Sequence, residues 1–334
     1  MNKRTNKEQG TRNEERGTRN DGMRDEFKAR AVKDKQKHRP SPVATVHRSS
    51  FIVHRSSLLL LALLVVAPAW AQSPALLPLG DTLLTLPTSH IPADGTFEVK
   101  FTHRFNQSLS QGSFSDQIHS LFGLDSNADV GFGFSYARTP ALQFSLTRSN
   151  TNDAFEGSAK YLMIQEAERI PLSIALRGGA VWRTEREIRD RTSVFVQAIL
   201  SRQIGSRVEI FAMPTYVTHA GRTVSQREAV ALFDHAFNVP LGVAVMIRPA
   251  LSLIAELTPP NQDLPPDMDG SVAWALGLKR AVGGHYFEVL ITNSNATQAD
   301  QYVTSTYQGT PLAGDEVHLG FNIERRFGRR PARR

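Results

Sequence analysis

Short runs of strict apolar/polar alternation leave this chain few folds to choose from. In Thr96-Phe97-Glu98-Val99-Lys100-Phe101-Thr102-His103-Arg104-Phe105, one face carries Phe97, Val99, Phe101 and Phe105, and the other carries Glu98, Lys100, Thr102 and Arg104. Successive side chains of a strand point to opposite faces, whereas a helix would scatter both sets around its circumference. Likewise Val130, Phe132, Phe134 and Tyr136 oppose Asp129, Gly131, Gly133 and Ser135, and Leu142, Phe144 and Leu146 oppose Gln143, Ser145 and Thr147. The pattern predicts an all-β chain with about twelve strands, at 96–106, 128–138, 141–148, 156–165, 171–182, 192–203, 207–218, 237–248, 250–258, 271–280, 285–293 and 316–327.

Most of these runs have 9 to 12 residues, the length that crosses a bilayer at a tilt of about 45°. The connections alternate between two classes. Short ones include Thr139-Pro140, Gln203-Ile204-Gly205-Ser206, Arg248-Pro249 and Ala281-Val282-Gly283-Gly284; long ones include 107–127, 219–236, 259–270 and 294–315, and the link between the third and fourth strands is expected in the long class. A soluble sandwich has alternating strands too, but nothing in its physics sorts every second connection into a long class. The expectation is a closed antiparallel transmembrane β-barrel with short periplasmic turns and long outer loops.

The N-terminal region agrees with export to that address. Ser57 to Ala71 contains an apolar run after Arg55 and ends on Ala69-Trp70-Ala71, a small-x-small cleavage site, so a signal peptide occupying 46–71 and cut after Ala71 is expected. A spanning helix would need roughly 20 apolar residues, and this run stops at Pro68. Upstream, Gly10-Thr11-Arg12-Asn13 returns as Gly17 to Asn20, and Val46-His47-Arg48-Ser49-Ser50 returns as Val53 to Ser57. Two unrelated motifs at one period of seven resemble tandem DNA repeats read in frame. Residues 1–45 are too polar to bury a core, and translation is expected to start near Val46 or Val53. The alternative is a basic tail that binds an acidic partner.

Residues 1–71 hold 15 of the 39 Lys+Arg but only 7 of the 32 Asp+Glu, so 24 and 25 remain in the mature part. That balance removes the case for nucleic-acid binding through a basic fold. Zero cysteines exclude a disulfide scaffold, a thiolate zinc site and a cysteine nucleophile. A mature N-terminal segment at 72–95 leads into a barrel over 96–327. The last strand, Val317 to Phe327, ends on an aromatic and resembles the C-terminal recognition signal of outer-membrane barrels, although a basic tail at 328–334 follows it.

Several patches together resemble a known family: His103-Arg104-Phe105, Leu121-Phe122-Gly123-Leu124-Asp125 before Val130-Gly131-Phe132-Gly133-Phe134-Ser135-Tyr136, Ala159-Lys160-Tyr161, and Leu319-Gly320-Phe321-Asn322-Ile323. The chain is similar over about 80–327 to the bacterial β-barrel family catalogued as domain of unknown function 5777. The resemblance implies a barrel in the outer membrane and brings no reaction, ligand or catalytic residue with it.

If the apolar face meets lipid, the opposite face lines the lumen with Glu98, Lys100, Arg104, Glu156, Lys160, Arg177, Glu209, Glu256, Glu288 and Glu324. These charges either pair across neighbouring strands and plug the barrel, or line a wet passage whose slight acidic excess favours cations. Gly131 and Gly133 mark thin positions facing the lumen. His103 is expected in an interfacial aromatic girdle, while His119, His219 and His235 fall in expected long loops. No His pair has ligand spacing, and no hydrolase, phosphate-loop or dinucleotide signature is present, so neither catalytic residues, metal nor cofactor is expected. Ser225-Gln226-Arg227-Glu228 has capping-box spacing before 229–233, which predicts a short helix, and a second is expected near 115–122. Arg183 to Arg191 reads as a solvated mixed-charge hairpin tip. The functional expectation is a small-solute pore or binding barrel, with a plugged docking barrel or an envelope enzyme as alternatives. Its partners would be outer-membrane lipid, the barrel-insertion machinery and the solute.

Overall fold

Alternation at period two becomes a wall with unlike faces once the strands close on each other. In the computed structural model these are β1 (Phe97–Phe105), β2 (Ala128–Thr139), β3 (Leu142–Ser149), β4 (Ala154–Ile164), β5 (Ser173–Arg183) and β6 (Thr192–Ile204). Then follow β7 (Val208–Ala212 and Thr215–Ala220), β8 (Phe233–Asn238 and Leu241–Arg248), β9 (Leu251–Thr258), β10 (Ala273–Val282), β11 (His285–Thr292) and β12 (His318–Phe327). Neighbours in sequence pair antiparallel, and β1 pairs with β12 from Phe97↔Phe327 to Arg104↔Gly320, which closes a twelve-stranded barrel. The structure describes residues 77–110, 112–119, 123–124, 126–184, 192–221, 223–224, 229–230, 233–261, 270–307 and 316–328, all within the compact unit Ser49–Arg334. The upstream extension, the cleavage site at Ala71 and the tail from 329 onward lie outside the described residues.

Burial runs opposite to that of a soluble protein. Phe134, Phe144, Leu146, Val196, Leu278, Phe287 and Val289 are exposed on the outer surface, while Glu98, Arg104, Glu156, Lys160, Gln197, Lys279 and Glu324 are buried inside. An apolar exterior around a polar interior, with the barrel sheet closed on itself, suits hydrocarbon as solvent.

Two features differ from the alternation read in sequence. Strands β7 and β8 are each broken, at Met213-Pro214 and Val239-Pro240, because proline has no N–H for the ladder. The two breaks lie at one level, with Met213 N–H donating to Pro240 O at 2.9 Å and Ala198 N–H to Pro214 O at 2.9 Å. The division into long and short links also has an exception: 150–153, between β3 and β4, is shorter than 165–172 at the opposite end. Asn150 explains it, since its side chain accepts from Val130 N at 2.7 Å and donates to Ala128 O at 3.0 Å, tying the link down onto β2.

The helix expected at 229–233 is corrected. Residues 225–228 lie outside the described residues, but Ala229–Val230 pairs with Thr223–Val224 and Phe233–Asn238 belongs to β8. Strand pairing wins over the capping signal there: Ala236 and Asn238 face inward, and Phe237 between them is 57% exposed. The other loop helix, α1 (Phe114–His119), is present, and α2 (Ala299–Tyr302) lies between β11 and β12.

Candidate functional site

The lumen holds part of its own chain. Residues 77–90 precede β1 and run inside the barrel, with Leu77, Leu79, Leu83, Leu84 and Leu86 fully buried in one cluster with Ile199, Phe211, Ile254 and Leu290. The segment folds back on itself, with Leu83 N–H donating to Leu86 O at 2.8 Å; its apolar residues cannot stay in a wet polar lumen without apolar partners, and the inward faces of β6, β7, β9 and β11 supply them. Glycines make the room. A Cβ on Gly242 would stand 2.3 Å from Leu83 Cδ1, and one on Gly277 would stand 3.0 Å from Leu84 Cδ2.

Polar contacts hold the same segment. Glu256 Oε1 accepts from the backbone N–H groups of Leu84 at 2.8 Å, Thr85 at 2.9 Å and Leu86 at 2.9 Å. On the other side of this tip, Asn322 donates to Leu84 O at 2.7 Å and Arg104 donates to Thr85 Oγ1 at 3.2 Å. Lys160 binds Asp81 and donates to Thr88 O at 3.1 Å and His90 O at 2.9 Å. Lys279 donates to Thr82 O at 2.7 Å, Ser89 meets Ser201 at 2.7 Å, and His90 meets Glu209 at 2.9 Å.

The structure therefore separates the ten charges marked in sequence. Lys100 pairs with Glu324 at 3.2 Å, Arg177 with Glu156, and Glu288 with Lys279 at 2.6 Å. Glu98 pairs with Arg326, and Glu324 also faces Lys279 at 3.5 Å. Glu209 and Glu256 serve the N-terminal segment instead of another strand. Arg104, 0% exposed, donates to Asn322 Oδ1 at 2.7 Å, and it has no carboxylate within ion-pair distance among the described residues.

Lys279, Arg326, Asn322, Asp81 and His90 were not marked in sequence. For the first two the register held the signal, because Lys279 lies directly opposite Glu288 and Arg326 opposite Glu98. Nothing in the sequence pattern places Asp81 or His90 inside a barrel.

The link between β11 and β12 also turns inward. Glu156 accepts from Ala299 N–H at 2.8 Å, and the Tyr302 hydroxyl meets Arg177 at 3.3 Å and Gln197 at 3.1 Å. Burial pushes the Tyr302 phenol up to about 12. Arg183 binds Asp300, and both are buried, so Arg183 itself does not belong to a solvated tip; residues 185–191, the rest of that expected tip, lie outside the described residues. Burial holds the Asp300 carboxyl above its usual range, against the pull of Arg183.

Between the N-terminal segment, this inward link and the wall from β1 to β5 lies a cavity of about 80 Å³, room for roughly six waters or a solute of a few heavy atoms. It exists because the facing wall is thin: Gly131 and Gly133 on β2, Ser145 and Thr147 on β3. A second cavity of about 30 Å³ lies across the segment's tip and includes Glu256.

The histidines do not converge. His219 and His235 lie in β7 and β8, not in loops; His235 Nδ1 meets the Tyr216 hydroxyl at 2.8 Å, and His103 stacks on Phe321 with ring centres 4.9 Å apart. Among the described residues no group of three or more His, Asp or Glu is placed to hold a metal ion.

Comparison with known proteins agrees with this architecture. Residues 80–327 match the family described as a membrane-bound beta barrel domain, domain of unknown function 5777. Among solved structures, the chain is similar to the NanC porin at 8% identity and TM-score 0.44, covering 69% of this chain and 98% of that one. The Acinetobacter baumannii outer membrane protein Omp33 matches at 9% and 0.36, covering 70% and 99%. The outer membrane phospholipase A from Escherichia coli matches at 9% and 0.37, covering 71% and 94%. No curated protein matches the chain.

Proposed function

We propose that this chain, which belongs to the family of membrane-bound β-barrel domains catalogued as domain of unknown function 5777, is a non-enzymic barrel of the outer membrane. It admits a small polar solute to an internal cavity through a lumen narrowed by its own N-terminal segment. The observation that carries this reading is the cavity of about 80 Å³, walled on one side by that segment and on the other by the small residues of β2 and β3. A barrel serving only as a scaffold has no need of a thin, polar inner wall beside an ordered plug; its lumen fills with side chains. The closed barrel with an apolar belt and the family match support the outer-membrane reading.

The test is ion conductance of the purified protein across a planar lipid bilayer, with a gel shift on boiling as the folding control. Small discrete steps that grow when Glu256→Ala loosens the segment would support a restricted pore. Silence of both proteins while folded would overturn it and favour the second reading, a plugged docking barrel. That reading has its own observation in the clamp of Glu256, Lys160 and Lys279 on residues 81–90.

A further inference from the structure

The inward charged side chains around the larger cavity are Lys100, Arg104, Lys160 and Arg177 against Asp81, Glu98 and Glu156. Three of these four cations are already matched: Lys100 by Glu324, Lys160 by Asp81 and Arg177 by Glu156. Glu98 in turn is taken by Arg326. Arg104 remains. It is fully buried, its Nη1 is occupied by His103 O and Asn322 Oδ1, its Nη2 makes one bond at 3.2 Å to Thr85 Oγ1, and its Nε has no partner.

Three carboxylates act on Arg104 through charge, and each is committed elsewhere: Asp129, opposite it on β2, accepts from Thr151 and Asn295, and the other two are Glu288 and Glu256. Asn322 stands between Arg104 and Glu288, which Lys279 holds. Glu256 binds the far side of the segment's tip and lines the smaller cavity. A buried guanidinium with spare donors is costly, and its Nε and Nη2 edge has the geometry that takes a carboxylate through two parallel bonds.

We infer that Arg104 is the anchor of an anion subsite and that the solute of this cavity is a small carboxylate, held on the Nε edge of Arg104 beside Thr102, whose hydroxyl covers Gly131. This deepens the reading given above and rests on the cavity being open to solute. The ten inward charges counted together give an acidic excess. Their placement gives the opposite sign at this point, because the segment's tip puts Glu256 on one side and Arg104 on the other.

The experiment is saturation-transfer NMR on the purified full-length protein in detergent, with acetate as probe and neutral acetamide as its isostere, at constant ionic strength. Transfer to the acetate methyl and none to acetamide is expected. Arg104→Gln should weaken the acetate signal about tenfold or more, the loss of a charge-assisted pair. If that variant fails the gel-shift test for folding, Thr102→Leu keeps Arg104 and narrows its approach, and it should abolish the signal as well. Acetate transfer that survives a folded Arg104→Gln, or that acetamide matches, overturns the assignment. Conductance in the same preparation separates the two failures: a conducting barrel without an acetate signal removes the anion subsite and leaves the pore, whereas a silent barrel that binds acetate at Arg104 removes the pore and leaves the subsite.

Discussion

Replacing Glu256 by alanine should release the tip of the N-terminal segment while the strands stay paired. The side chain lies in β9 but spends one oxygen on three backbone N–H groups, those of Leu84, Thr85 and Leu86, at 2.8 to 2.9 Å. In the variant those donors face a methyl group. A buried donor left unsatisfied costs about 1–3 kcal/mol; with water entering the vacated space, about 3 kcal/mol is expected for the three together. At 1.4 kcal/mol per decade the undocked population rises about a hundredfold. Glu256→Gln keeps an oxygen and loses the charge, so it should fall between, near tenfold. Hydrogen exchange read at the amides of residues 84–86 measures this, with the amides of β2 as an internal standard. Unchanged protection at 84–86 in a folded Glu256→Ala barrel would refute the reasoning, since the three bonds would then hold nothing.

Gly242→Val should expel Leu83, because even a Cβ would stand 2.3 Å from its Cδ1; proteolysis within 77–92 should accelerate while the strands stay protected. Leu278→Arg puts a charge on the outer face opposite exposed Val289 and should cost about 2–4 kcal/mol in lipid, measured by urea unfolding in vesicles. Leu278→Ala serves there as the control for lost side-chain area, and an arginine no worse than alanine would mean that this face does not meet hydrocarbon.

The barrel wall was legible because a strand half in lipid and half in water must alternate, and β1 and β2 do so without a break. Where proline interrupts, as at Pro214 and Pro240, alternation continues on both sides and conceals the gap. The capping signal at Ser225 to Glu228 pointed to a helix because it is local, and the pairing of Phe233–Asn238 with β7 is not. The inward charges are readable from register, and Lys279 and Arg326 carry the same signal, because they lie across from Glu288 and Glu98. What each charge does was not readable. Glu256 and Lys160 answer to residues 81–90, which carry no strand pattern and sit inside the barrel only because Gly242 and Gly277 leave space for Leu83 and Leu84.

Occupancy of the lumen by residues 77–90 can be read by a cross-link, since the chain has no cysteine to interfere. Ser89 Oγ and Ser201 Oγ stand 2.7 Å apart inside the barrel, close enough for a disulfide after Ser89→Cys and Ser201→Cys. Mild oxidation of this double variant in its own membrane, followed by thiol counting and peptide mapping, should find both thiols consumed and the segment joined to β6. Two free thiols that react with a bulky maleimide would place the segment outside the lumen and contradict the structure's plug.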